Sequence, residues 1–103
     1  MPDKHFSAYL KEETPEMEKL FHTYMDTLRK ECGLDPKTFE LVYIGIKAAN
    51  NEPKSVIAHT GFAKKAGATR EEVRGAVMVT MATNGVTGIA NCLGIALETY
   101  DKA

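Results

Sequence analysis

Apolar residues recur along this chain at helical spacing, and no stretch alternates long enough to predict a strand. The pattern predicts an all-α domain in which five helices can be placed by their punctuation. The first runs from about Thr14 to Cys32, with Thr14 as N-cap candidate, Pro15 in the first helical position and Gly33 as the stop. Met17, Leu20, Phe21, Tyr24 and Leu28 form its apolar stripe. Asp35 and Pro36 open the second in the same way. This helix carries Phe39, Leu41, Val42, Tyr43, Ile44 and Ile46 on more than one face, so it is expected to be the most buried. Pro53 starts a third, which continues through His59 and Phe62 to Gly67. The fourth begins at Thr69, with Glu72 completing a capping box, and is expected to bury Val73, Val77 and Met81 before Asn84-Gly85 ends or kinks it. The fifth spans about Thr87 to Tyr100 with Ile89, Leu93, Ala96, Leu97 and Tyr100 inward. Gly85, Gly88, Cys92 and Ala96 make a stripe of small side chains beside it, suited to close helix packing or to a ligand against that wall.

Length and charge narrow the classes. The 103 residues make one domain, 14–103, preceded by a polar arm, 1–13, with Phe6, Tyr9 and Leu10 as possible anchors. A chain this short buries a modest share of its surface alone, and self-association is the natural remedy. A net charge of -1 with both signs interspersed does not favour nucleic acid. No apolar run approaches the roughly 20 residues needed to cross a membrane. The polar start, Met1 to Phe6, lacks the apolar core of a secretory signal, so a cytoplasmic location is expected. Cys32 and Cys92 stand too far apart in sequence for a redox or zinc pair and read as isolated thiols. No cofactor and no metal are expected.

The segment Glu52-Pro53-Lys54-Ser55-Val56-Ile57-Ala58-His59 places a carboxylate, a hydroxyl and an imidazole on one helix face. Helical rise puts Glu52 and His59 roughly 10 Å apart along the axis, so a link between them must run through Ser55, water or substrate. Such a relay suits His59 as general acid or base. Each residue also has a plainer reading. Glu52 stands at a helix N-terminus, where the backbone dipole favours any carboxylate. His59 lies among apolar neighbours, the usual setting of a hydrogen-bonded core histidine. Ser55 lacks the orienting acid and oxyanion hole that a nucleophilic serine needs. His22 sits near Glu18 and Asp26, which suits surface pairing, and His5 has no partner at ligand spacing.

The spacings of Glu52, Ser55 and His59 are those of the C-x-x-C-x-x-x-H motif of alkylhydroperoxidase D-like proteins, with Glu52 and Ser55 where the cysteines would be. From about Leu34 to Tyr100 the chain resembles the carboxymuconolactone decarboxylase and alkylhydroperoxidase D superfamily. The resemblance rests on Leu34-Asp35-Pro36-Lys37-Thr38-Phe39-Glu40-Leu41, on Ala48-Ala49-Asn50-Asn51, and on His59 followed by Ala63, Ala66-Gly67-Ala68-Thr69 and Glu71-Glu72-Val73. Gly85 and Asn91 fit the final helix of the decarboxylase branch. It implies a helical subunit of five to six helices that assembles into homotrimers or homohexamers, with a pocket near the motif helix and a subunit interface. It also implies His59 in that pocket, with Glu52 as its partner across a small-molecule substrate and Ser55 as a hydrogen-bonding intermediate. Lys54 or Lys47 would hold a substrate carboxylate, and Asn91 and Cys92 would line the site. Proton-transfer chemistry on a small organic acid or lactone is the reading that results. A peroxiredoxin-like antioxidant using Cys92 and a non-catalytic oligomeric binding protein are the alternatives.

Overall fold

A computed structural model describes residues 5–103, and every regular element among them is helical. The part of the expected N-terminal arm at Met1–Lys4 lies outside the described residues. The rest of the arm is itself a helix, α1 (Phe6–Glu13), opened by His5, whose Nδ1 accepts from the Ser7 N–H. Helix α2 (Pro15–Glu31) starts at Pro15 as expected. Thr14 does not cap it through its side chain, because its hydroxyl donates back to the Leu10 carbonyl at 3.1 Å. Phe6 packs edge-on against Phe21 with centroids 5.5 Å apart, tying α1 to α2. Together they form a compact unit that ends at Gly33, whose positive φ of 81° no side chain adopts readily.

The second unit, Leu34–Ala103, holds α3 (Pro36–Ala49), α4 (Pro53–Lys65), α5 (Arg70–Met78), α6 (Thr80–Asn84), a π-helical turn (Ile89–Leu93) and α7 (Gly94–Lys102). Its start signals work as their chemistry dictates. Asp35 accepts from the Thr38 N–H at 2.8 Å, and Thr69 and Glu72 exchange the two bonds of a capping box. The backbone N–H of Thr38 holds the Asp35 carboxyl below its ordinary range. The backbone N–H of Thr69, with the Lys37 ammonium 3.1 Å away, does the same for Glu72. A carboxyl depressed in the folded state adds stability above its unfolded pKa and loses it as pH falls through the folded value. Asp35→Ala is therefore expected to lower the urea midpoint at neutral pH, and the gap from the native protein should close on acidification through the carboxylate range. A gap independent of pH would remove the cap as its cause.

The second half departs from expectation in two places. The helix expected to run from Thr69 to Asn84 is interrupted at Val79, giving α5 and α6, and Gly85 with φ of 77° ends the latter. The final helix starts at Thr87 as expected, but it passes through the π-helical turn before α7 instead of winding regularly. That wide turn sinks Cys92 into the core while the neighbouring Asn91 stays exposed.

The core is built from small side chains: Ile44 and Ala48 of α3, Val56 and Ala63 of α4, Val73 and Val77 of α5, then Cys92 and Ala96. Gly88 explains part of the stripe of small residues, since a Cβ there would come within 2.8 Å of the Ala48 carbonyl oxygen. Larger apolar groups lie outside. Val42 and Ile46 of α3 are 46% and 56% exposed, and Met81, expected inside, is exposed as well. Helix α3 is thus apolar on more than one face without being buried on all of them. Its outer face borders a groove of about 520 Å³ lined by Val42, Gly45, Ile46, Ala76 and Val79.

Candidate functional site

The site lies where α3 meets α4. Pro36 and the Asp35 cap set the start of α3, and Pro53 sets that of α4, so their facing residues are fixed by two well-punctuated helices. The Nδ1 atom of His59 lies 2.6 Å from Oε2 of Glu40, one turn into α3. Both side chains are largely buried, at 13% and 9% exposure. The imidazole stacks on Tyr43 with ring centroids 3.5 Å apart and planes 17° from parallel, and Phe62 meets its edge at 5.1 Å. Two rings and a carboxylate therefore fix the plane and tilt of the imidazole.

A carboxylate beside Nδ1 fixes the tautomer. With Glu40 ionised, Nδ1 is the protonated nitrogen and donates, leaving the Nε2 lone pair as the base. No described side chain hydrogen-bonds to Nε2. The carboxylate also stabilises the imidazolium formed when Nε2 takes a proton, the same division of labour as in a carboxylate–histidine catalytic pair.

The residues singled out from sequence fall into three groups. His59 is at the centre. Glu52, expected as its partner, instead accepts from Lys47 Nζ at 3.1 Å. Its side chain makes no cap for α4 although it holds the N-cap position. Ser55 is half-buried one turn from His59, and no described hydrogen bond joins its hydroxyl to either Glu52 or His59. Lys54 is exposed. Asn91 donates from Nδ2 to Oδ1 of Asn51 at 3.3 Å, pinning the α3–α4 turn where Asn51 takes a positive φ of 57°. Cys92 is fully buried, and burial pushes its thiol pKa up, away from the thiolate that redox chemistry needs. Cys32 is exposed in the other unit. His22 pairs with Glu18 at 2.6 Å, as surface spacing suggested.

Glu40 is the residue that spacing on a single helix missed, because its partner stands 19 positions away on another helix. A signal was present: Glu40 is the one charged residue in the run Phe39-Glu40-Leu41-Val42-Tyr43-Ile44-Gly45-Ile46. A carboxylate there is expected to have a buried partner.

His59 of α4, held by the Glu40 carboxylate of α3 and by the Tyr43 ring, thus sits between two helices of an all-helical unit. The sequence model of the Carboxymuconolactone decarboxylase family matches residues 15–98, and the chain belongs to that family. No significant match is found among curated proteins or among solved structures.

Proposed function

We propose that this protein catalyses proton transfer on a small organic acid or lactone, with His59 as the general base and acid. The observation that carries the reading is the 2.6 Å contact between Glu40 and His59. Nε2 removes a proton from an activated carbon of the substrate, Glu40 holds the resulting imidazolium, and the same nitrogen returns the proton to the product. Tyr43 and Phe62 keep the ring from rotating away. In this reading Glu40, rather than Glu52, is the carboxylate that serves His59.

An antioxidant role through Cys92 has weaker support, since its thiol is fully buried and held protonated. Self-association into a trimer or hexamer is part of the proposal. It is supported by the exposure of Val42 and Ile46 on α3 and of Val79 between α5 and α6, which line one apolar groove. Among the described residues no helix is long and apolar enough to cross a membrane.

Deuterium uptake from heavy water tests the reading directly. A panel of carboxylated lactones and small keto acids is incubated with the protein, and exchange at the carbon beside the carbonyl is followed by proton NMR. The native protein is expected to exchange at least one member, and His59→Gln to exchange it about 10³-fold more slowly while eluting as the same assembly. No exchange across the panel by the native protein would leave the non-catalytic binding protein as the better account.

A further inference from the structure

Phe62 follows His59 by three positions and Ala58 by four on α4. A long side chain on a helix leans back onto the residues three and four before it, so the Phe62 ring has these two neighbours to lean on. In the structure it leans on His59, with centroids 5.1 Å apart and planes at 88°. The ring is nevertheless 49% exposed, whereas the imidazole side chain shows 13% of its surface. The base of the proposed reaction is covered, and its cover stands half in solvent.

The other side of Phe62 is unfilled. A groove of about 450 Å³ on α4 is lined by Ala58, Gly61, Phe62, Lys64, Lys65 and Ala103. Phe62 belongs to its wall, and His59 does not. The floor is made of small residues: Ala58 carries one methyl, and a Cβ built on Gly61 would meet nothing within 4 Å. A glycine inside a helix weakens it relative to alanine, and no crowding at Gly61 requires one. What the glycine does provide is a bare surface beside Ala58, on the side to which the ring can turn.

We propose that Phe62 is a gate for His59. Leaning on the imidazole, it closes the base to solvent; leaning towards Ala58, over the floor at Gly61, it opens it. Glu40 and Tyr43 reach His59 from α3 and hold the imidazole in both positions, so opening exposes the base without releasing it. The contact given up on opening is one edge-to-face pair, which favours the closed position by about two- to twelvefold, and both positions are populated. The inference deepens the reading of His59 as the proton-transfer group and takes its purpose from it, but its test reads the imidazole alone.

Diethyl pyrocarbonate acylates an accessible, unprotonated imidazole nitrogen and reads the gate on the full chain. Peptide mass mapping follows His59, with the exposed His5 as internal standard. Phe62→Ala removes the cover and is expected to speed acylation of His59 about two- to twelvefold. Gly61→Leu keeps the cover and fills the floor, since a leucine at 61 leans back over Ala58. It should slow acylation of His59 at least threefold. His5 should react alike in all three proteins, and urea midpoints separate an open gate from a loosened fold.

An unchanged His59 rate in Phe62→Ala would overturn the proposal. So would a native rate in Gly61→Leu, which would make Phe62 a fixed cover. If both variants behave as expected while the native protein exchanges no deuterium, the acid–base reading fails and the gate stands. If exchange depends on His59 but acylation ignores both substitutions, the reverse is true.

Discussion

Replacing Glu40 by Gln is expected to slow proton exchange about a hundredfold without changing the assembly, and His59→Gln to slow it by about 10³, within the range usual for a positioned acid–base group. The amide is nearly isosteric with the carboxylate but carries no charge to hold an imidazolium, and its NH₂ can turn towards Nδ1 and impose the wrong tautomer. The two changes act on one device, so the double variant should be no slower than His59→Gln alone. Glu52→Gln provides the contrast. Since Glu52 is paired with Lys47 rather than His59, its loss should leave the maximal rate nearly intact. Equal damage to the maximal rate from Glu40→Gln and Glu52→Gln would sink the assignment of Glu40 as the residue serving His59.

Gly88→Val should cost more stability than a side chain added at the other crowded glycine, Gly45, where the closest approach is 3.2 Å. At Gly88 the new Cβ would lie 2.8 Å from the Ala48 carbonyl oxygen and 2.9 Å from the Thr80 hydroxyl, so backbone must move on α3 or at the entry to the π-helical turn. Overpacking of this kind costs about 1–3 kcal/mol, and here the obstacle is main chain that cannot rotate aside. Gly61→Ala is the matched control. Its Cβ meets nothing within 4 Å inside α4, so it should raise stability by about 0.5–1 kcal/mol through the lost freedom of the unfolded chain. Urea unfolding of both variants against the native protein reads the difference, and a stable Gly88→Val would show that the α3 contact yields.

What could be read from sequence was whatever is written locally. Asp35 and the Thr69–Glu72 box sit at helix starts because each satisfies N–H groups of its own first turn, and Pro36 and Pro53 sit there because a proline brings no N–H that would need a partner. The family was legible for a related reason, as its motifs lie in short runs around these same starts. His59 stood out in the sequence by its spacing from Glu52 and Ser55. Its partner did not, since residues facing each other across two helices leave no fixed spacing, and the charge of Glu40 within an apolar run was the only trace. Glu52 looked like the partner because it shares a helix face with His59, but the α3–α4 turn brings it closer to Lys47. The π-helical turn was equally hidden. Cys92 is buried and Asn91 exposed within it, and no side chain in Ile89-Ala90-Asn91-Cys92-Leu93 announces the wider winding.

The distribution of side-chain sizes has a consequence for how this protein responds to dilution. Alanines, valines and a cysteine fill the interior around Ile44, whereas Val42, Ile46, Val79 and Val86 stand in solvent. A protomer arranged this way gains little from its own collapse and much from whatever comes to rest on its outer face. If that is a second copy, mass action makes thermal stability a property of the solution as much as of the sequence. Its melting temperature should climb with protein concentration, and a flat line across a hundredfold dilution would mean that each chain stands alone.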